Sequence, residues 1–152
     1  MKCENNIWWM FIFLSFVVLA KTQIGYCEKS HDKTSIEEVK QETEDLIEAL
    51  KGYTAEQQDK AIQKIQMALV KLDKRIDEQE ARIDREWDKM NKSAREKARA
   101  KLKELHKKRV KVAEWYGSLR TSSIKAWEHM KKGFSDAYKD LYDAWEKSEK
   151  EF

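Results

Sequence analysis

Histidines and carboxylates are the side chains of this chain most able to do chemistry, and their spacing decides what chemistry to expect. Metal sites on helices place histidine and carboxylate ligands one turn apart, as in H-E-x-x-H or E-x-x-H. The residues three positions before His106 and His129 are Lys103 and Ala126, and His31 lies in a polar stretch. We therefore expect surface histidines, and neither a metal site nor another cofactor.

Nucleophilic catalysis needs a serine or cysteine activated by a base and oriented by a third group, usually on loops over a rigid scaffold. The chain has no proline and four glycines, so it offers few loops, and it contains no glycine-rich phosphate loop. Acidic residues such as Asp84 and Asp88 follow the charge pattern of a solvated helix face. We expect a protein that is not an enzyme and has no small-molecule substrate.

The elements that position these residues are predicted to be helices throughout. Of the 152 residues, 39% are charged, and long stretches rich in Ala, Glu, Lys, Leu and Arg run without a helix breaker. These residue types lose little rotamer freedom in a helix. We predict an all-α fold, either an extended antiparallel coiled coil or a bundle of three or four helices.

The first 20 residues differ from the rest and resemble a secretory signal peptide. Lys2 precedes the apolar run IWWMFIFLSFVVLA at residues 7–20, and Val18 and Ala20 are small residues suited to a cleavage site. The run is shorter than the roughly 20 residues that span a bilayer, and an uncleaved anchor is the alternative. We predict a signal peptide over 1–20, a flexible linker over 21–34, and export to the periplasm, with anchoring by the N-terminal segment as the second option.

Cleavage after Ala20 would leave Cys27 as the single cysteine. In an oxidising compartment an odd cysteine indicates an intermolecular disulfide or a free thiol. Lipidation of Cys27 is a second interpretation, although Tyr26 occupies a position where a lipid-attachment motif has a small residue.

A helical coiled-coil domain is predicted over residues 35–152, with helices at about 35–51, 54–90, 93–117 and 121–150. In the first helix apolar residues recur at three- and four-residue steps, Gly52 is expected to end it in the left-handed conformation, and Thr54 with Gln57 forms a capping box. The second helix repeats apolar residues every seven positions. Near Asn91 the register shifts, and Ser93 with Glu96 could cap a new helix. The pattern leaves open whether the middle of the chain is two helices or one rod.

The last predicted helix has an aromatic seam in heptad register, beginning at Ile124. This seam is the candidate interaction face, and it consists of Trp127, Phe134, Tyr138, Leu141 and Trp145. It could lie in a membrane interface or grip unfolded clients, or it could pack against the other helices. Gly133 costs about 1 kcal/mol relative to alanine inside a helix, so we expect close packing or a bend there.

Charge is distributed in blocks. Residues 89–111 contain eleven basic and two acidic residues, whereas 35–51 and 134–152 are both acidic overall. The candidate basic patch consists of Lys101, Lys103, Lys107, Lys108, Arg109 and Lys111. Nucleic acid is not expected as a partner, because export argues against it and the stretch lacks interleaved aromatic residues. Opposite blocks should lie together in an antiparallel hairpin, and the same complementarity could act between chains.

Two stretches carry a family resemblance: YTAEQQDKAIQKIQMALVKLDKRIDEQEARI, and KLKELHKKRVKVAEWYGSLRTSSIKAWEHMKKGFSDAYKDLYDAW. Over about residues 53–146 the chain resembles small exported bacterial coiled-coil proteins of uncharacterised function, in which a "Leu-Lys-x-Ser-Ser … Ala-Trp-x-x-Leu-Lys-x-Gly" stretch opens the last helix. The matching positions here are Leu119, Arg120, Ser122, Ser123, Ala126, Trp127, Met130, Lys131 and Gly133. The resemblance implies bacterial origin and an all-helical fold, and supplies no activity.

Three functions are consistent with these observations. The first is a non-catalytic structural or interaction protein of the cell envelope that docks another envelope protein or itself. The second is a periplasmic holdase-type chaperone, and the third is an apolipoprotein-like protein that binds lipid or membrane surfaces. Burial of the aromatic seam favours the first, and its exposure favours the other two.

Overall fold

The computed structural model describes residues 35–152, which are all-α with no strand among them. The predicted signal peptide, the linker and Cys27 lie outside the described residues. The four helices are α1 (Ile36–Gly52), α2 (Gln58–Glu86), α3 (Lys92–Arg120) and α4 (Trp127–Glu149). Single 3₁₀ turns at Ala55–Gln57 and Trp87–Lys89 precede and follow α2. No described helix has the length and apolar character needed to cross a membrane.

α1 begins at a serine cap and ends without a left-handed residue. The Ser35 hydroxyl accepts a hydrogen bond from the amide of Glu38 over 3.1 Å, which satisfies one of the free amides of the first turn. The prediction that Gly52 adopts the left-handed conformation was wrong. This glycine is the last helical residue, and the residue after it, Tyr53, is extended with φ −83° and ψ 126°. The capping box that follows is confirmed, with Thr54 and Gln57 as its partners.

The chain breaks between α2 and α3, so the middle of the sequence forms two helices. After the 3₁₀ turn, Met90 is extended at ψ 137°, and the Asn91 side chain accepts a hydrogen bond from the amide of Ala94 over 2.9 Å. Asn91 therefore caps α3, two residues before the predicted Ser93 cap. The turn is covered by Trp87, whose ring lies under the guanidinium group of Arg99 at 4.8 Å from its centroid.

The connection between α3 and α4 also differs from the prediction. α3 continues through Gly117 to Arg120, and α4 begins at Trp127 instead of at 121. The Ser123 carbonyl accepts the amides of residues 126 and 127 at 3.0 Å each, so the serine-rich stretch forms a turn. Ile124 lies in this turn and is 73% exposed, which removes it from the predicted seam.

Hydrogen bonds and ion pairs join consecutive helices in the crossed order of antiparallel neighbours, and they also join α2 to α4. The start of α2 contacts the end of α3, and the middles of these two helices also contact each other. The same crossed order holds for α3 and α4. α1 contacts both α2 and α4. The pairs are Gln58 with Leu119, Asp73 with Arg109, Lys108 with Asp140, Lys101 with Glu151, Glu42 with Arg75, and Lys131 with Lys51. No hydrogen bond or ion pair joins α1 to α3 among residues 35–152. The two therefore lie on opposite sides.

The core is built from one apolar stripe of each helix. In α3 the fully buried positions repeat every seven residues, at Ala98, Leu105, Val112 and Leu119, which is the spacing of a helix that keeps one face toward its neighbours. α4 supplies the aromatic share of the core. Burial of these stripes is the main driving force for the fold, at about 25 cal/mol for each Å² of apolar surface removed from water.

Candidate functional site

The aromatic seam of α4 is inside the protein. None of its five side chains is more than 4% exposed, and Phe134 is fully buried. Phe134 and Tyr138 stack with their ring centroids 5.8 Å apart, and the Tyr138 hydroxyl donates a hydrogen bond to the carbonyl of Ala68 over 3.4 Å. The seam cannot touch lipid or an unfolded client unless the helices separate.

Two side chains of α4 hold the turn between α1 and α2. The indole nitrogen of Trp127 donates to the Tyr53 carbonyl over 3.1 Å, and the Lys131 ammonium donates to the same carbonyl over 3.0 Å. Lys131 also reaches the Lys51 carbonyl, at 3.4 Å. We call these four residues the turn clamp. The cation lies at the C-terminus of α1, where the helix dipole favours positive charge.

Lys131 is a buried amine, and its environment shows what chemistry is open to it. Its side chain is 9% exposed, and Glu128 forms an ion pair with it at 2.9 Å. An ammonium group has three hydrogen atoms to donate, and two carbonyls and one carboxylate account for all three. The arrangement leaves the ammonium no hydrogen atom for a ligand, so the geometry gives Lys131 a structural role.

The turn between α3 and α4 is anchored at the same end of the body. The Leu119 carbonyl accepts hydrogen bonds from the side-chain amide of Gln58 over 2.7 Å and from the hydroxyl of Ser122 over 3.0 Å. Gln58 is the first residue of α2. This side chain therefore joins the start of α2 to the end of α3, and the two turns are held in place by neighbouring sets of hydrogen bonds.

Gly133 is the point of closest approach between α3 and α4. A Cβ atom placed on Gly133 would lie 2.4 to 2.6 Å from three ring atoms of Trp115. The ring is held from its other sides by His129, whose ring centroid is 5.9 Å away, and by the ammonium of Lys111 at 5.8 Å. The sequence predicted either close packing or a bend at Gly133, and the structure has the close packing. Only a residue without a side chain leaves room for the Trp115 indole at this position.

Most of the sequence motif that suggested the family resemblance thus lies in the turn clamp and its surroundings. The Ser122 hydroxyl donates to the Leu119 carbonyl, and Ser123 begins the turn before α4. In α4, Trp127, Lys131 and Gly133 contact groups on other helices or turns. Sequence reasoning placed this stretch at the start of the last helix. It missed the anchoring, because the Lys131 acceptor at Tyr53 is 78 residues away in the chain.

Most of the charges of the candidate basic patch are neutralised by carboxylates of the same molecule. Lys108 forms an ion pair with Asp140 at 2.7 Å, Arg109 binds Asp73 through two 2.7 Å hydrogen bonds, and Lys111 pairs with Glu114. Lys101 pairs with Glu151 at 3.8 Å. The hydrogen bond that Lys108 donates to Asp140 raises the pKa of Lys108, and those that Arg109 donates to Asp73 raise the pKa of Arg109. Lys103 and Lys107 are exposed and have no carboxylate partner within residues 35–152.

Glu42 is the acidic counterpart of these pairs on α1. It accepts hydrogen bonds from Lys71 at 2.9 Å and from Arg75 at 2.6 Å. Burial by itself would raise the pKa of Glu42, but the hydrogen bonds from these two cations outweigh it and hold the pKa below the ordinary value of 4.5. α1 is thereby tied to α2 by a charge pair that exists only while Glu42 is ionised.

A second group of buried polar side chains lies where the C-terminal half of α2 meets the end of α4. The Gln79 amide and the Arg82 guanidinium both donate to Glu149. Gln79 and Ser148 are fully buried. Three atoms of this group have no hydrogen-bond partner within residues 35–152: the Gln79 carbonyl oxygen, the Ser148 hydroxyl and the Trp145 indole nitrogen. Each such atom costs about 1 to 3 kcal/mol when buried without a partner, so this layer weakens the core locally.

The histidines lie on the surface of the helices. His106 on α3 is 3.1 Å from a carboxylate oxygen of Glu80 on α2, and His129 packs against Trp115. His31 lies outside the described residues. Across residues 35–152 no group of three or more histidine, cysteine, aspartate or glutamate side chains is placed to hold a metal ion.

Comparison of the chain with protein families, with curated proteins and with solved structures found no match in any of the three. The resemblance to small exported bacterial coiled-coil proteins therefore stays a prediction from the sequence pattern. The class established for the described residues is an all-α protein of four helices.

Proposed function

We propose that this chain is a non-catalytic structural or interaction protein of the cell envelope, which acts by docking another protein or itself. The observation that supports this best is the burial of the α4 aromatic seam, since the lipid-binding and chaperone alternatives both need that seam at the surface. With the seam buried, the outer surface of the described helices is mainly charged.

The proposal includes a finer architecture, an up-down-up-down four-helix bundle with coiled-coil packing. Antiparallel neighbours joined by short turns, and heptad repeats of buried residues on α3, favour it. A rigid bundle of this kind suits a structural or docking role, because its surface is presented by elements that do not rearrange on binding.

Export to the periplasm is the second part of the proposal, and it rests on the apolar run at 7–20 and on the family resemblance. Cleavage would begin the mature chain at Lys21, and an uncleaved segment would instead anchor it. A cell fractionation with intact-mass measurement of the purified protein separates these outcomes. A full-length mass in the cytosolic fraction would contradict export.

Tryptophan fluorescence tests the functional class. The protein should show blue-shifted emission from Trp127 and Trp145, and anionic phosphatidylglycerol vesicles should leave the spectrum unchanged. Phe134→Asp is the matched control, since a charge at this fully buried position must open the core and should make the emission red and vesicle-sensitive. A wild-type spectrum that shifts to the blue on vesicle addition would make α4 a membrane-binding element.

An aggregation assay then distinguishes docking from holdase activity. The wild-type protein should fail to suppress aggregation of an unfolded outer-membrane protein at equimolar ratio. Suppression by the wild type as strong as that by Phe134→Asp would favour the chaperone function.

A further inference from the structure

Two exposed helix faces of opposite charge remain after the internal ion pairs are assigned. On α1, the residues that lie opposite its buried stripe, at about 100° of rotation per residue, form what we call the acidic ridge. It consists of Glu37, Gln41, Glu44, Asp45 and Glu48, and all five are exposed. The ridge contains no basic residue, since Lys40 and Lys51 lie to one side of it.

Within residues 35–152, the carboxylates of the acidic ridge form no ion pair with a cation on another helix. Glu37 pairs with Lys40 at 3.6 Å and Glu48 with Lys51 at 2.6 Å, both within α1. Asp45 accepts a hydrogen bond from the side-chain amide of Gln41 on the same helix. This differs from Glu42, the α1 carboxylate that makes ion pairs with α2.

The matching feature on α3 is the basic ridge, which lies opposite the stripe of Ala98 and Leu105. It consists of Lys92, Glu96, Arg99, Lys103 and Lys107, and all five are exposed. None of its three lysines has a carboxylate partner within residues 35–152. At 1.5 Å per residue the basic ridge is about 22 Å long and the acidic ridge about 16 Å, so the lengths are compatible.

The position of the two ridges in the fold determines how they could meet. α1 and α3 lie on opposite sides of the body, each between α2 and α4, so the ridges of one molecule cannot contact each other. A two-fold dimer would have to place both ridges of one molecule against the same partner, which their positions on opposite sides of the body do not allow. A contact between the acidic ridge of one copy and the basic ridge of another is heterologous, and such contacts propagate into rings or open filaments.

We propose that copies of this chain associate side by side, with the acidic ridge of one molecule on the basic ridge of the next. This inference rests on the proposed docking function and names a second copy as the partner. A second copy is favoured over an anionic membrane because it accounts for both ridges, whereas a membrane would attract α3 and repel α1.

Paired charge reversals test the proposal in the full chain, purified as the cell processes it. Lys103→Glu with Lys107→Glu changes the net charge of the basic ridge from +3 to −1, and Glu44→Lys with Glu48→Lys changes that of the acidic ridge from −4 to zero. Sedimentation velocity at about 0.01 M salt should show assemblies larger than a dimer for the wild type and a monomer for each variant. Between about 0.01 M and 1 M salt the screening length falls from about 30 Å to about 3 Å, and the wild-type assemblies should dissociate.

Mixing the two variants is the decisive step, since each then presents the ridge that the other needs. The mixture should form a one-to-one complex through the two unaltered ridges, which a folding defect could not produce. The matched control reverses two exposed lysines away from both ridges, Lys60→Glu with Lys125→Glu, and should assemble like the wild type. Wild-type association that survives either reversal, or a mixture that stays monomeric, would overturn the proposal.

Two further outcomes separate this inference from the proposed function. If the wild type is monomeric but crosslinks to another envelope protein, the docking function stands and self-association is wrong. If phosphatidylglycerol vesicles bind the wild type and the Glu44→Lys, Glu48→Lys variant but not the Lys103→Glu, Lys107→Glu variant, the basic ridge serves a membrane surface, which also refutes self-association.

Discussion

Replacing Gly133 with alanine should destabilise the protein, whereas the same replacement at Gly117 should stabilise it. Both glycines lie inside helices, where alanine is favoured by about 1 kcal/mol. At Gly117 the new methyl group would meet no atom within 4 Å apart from the adjacent backbone of its own helix, so the full gain of about 0.5 to 1 kcal/mol is expected. Gly117→Ala is therefore the matched control for Gly133→Ala.

At Gly133 the new methyl group would lie 2.4 to 2.6 Å from the Trp115 ring, while carbon atoms pack best at about 3.5 to 4.0 Å. The ring or α4 must therefore move by about 1 Å. Overpacking of this kind costs about 1 to 3 kcal/mol, and contact with three atoms of a rigid ring places Gly133→Ala near the upper end. After subtraction of the gain in helix propensity, about 1 to 2 kcal/mol of destabilisation remains.

Urea unfolding followed by circular dichroism at 222 nm measures both free energies without depending on tryptophan fluorescence. A double-mutant cycle with Trp115→Ala isolates the clash. In the Trp115→Ala background, Gly133→Ala should stabilise the protein by about 1 kcal/mol, as Gly117→Ala does. If Gly133→Ala stabilises the wild type, or has the same effect in both backgrounds, the close contact between α3 and α4 does not account for this glycine.

Three more perturbations follow from the contacts described above. Lys131→Met should lower the free energy of unfolding in urea by about 1 to 3 kcal/mol, since it removes the side-chain donor to the Lys51 carbonyl and one of the two donors to the Tyr53 carbonyl. Exposed Lys132→Met should stay within about 0.5 kcal/mol, and equal effects of the two substitutions would refute the turn clamp. Ser148→Ala should raise the melting temperature and increase the free energy of unfolding by about 1 kcal/mol, because it removes a buried hydroxyl that has no partner within residues 35–152. Ser135→Ala loses a 2.9 Å hydrogen bond and should not stabilise the protein. A loss of stability in Ser148→Ala would show that the Ser148 hydroxyl is hydrogen-bonded. Glu42→Gln should lower the free energy of unfolding by about 0.5 to 1 kcal/mol at pH 7, an amount already reduced for the partial exposure of Glu42. Because the pKa of Glu42 in the folded protein lies below 4.5, its stabilising contribution is present above pH 4.5 and disappears as the pH falls through the folded-state pKa. A loss of stability that persists in acid would point to packing instead.

The helices were predictable where the cause was local. Thr54 and Gln57 cap the start of the second helical stretch as expected, because a capping box involves residues three apart. The seven-residue spacing of Phe134 and Leu141 likewise indicated which side of α4 is buried. Ile124 fits the same register but is exposed, since the serine-rich turn delays the start of α4 and the heptad has no helix to continue on.

Charge pairing was predictable only in outline. The opposite charges of the blocks around Lys108 and Asp140 suggested that α3 and α4 would lie together, and this pair forms. The partner of Arg109 is Asp73 on α2, outside either acidic block. A block sum indicates attraction between segments, but each ion pair depends on which side chains face each other across two packed helices.

The sequence by itself determined that the chain is helical, that its helices are long, and which residues share a helix face, because helix propensity and a period of 3.6 residues act within a few residues of each position. Only the tertiary structure decided that Lys131 is buried on the carbonyls of a distant turn and that Gly133 makes room for an indole. It also decided that Lys101 pairs with Glu151 and Lys108 with Asp140. Those outcomes depend on contacts between residues 18 to 80 positions apart, whose neighbours are set by the turns and by the packing of the whole body.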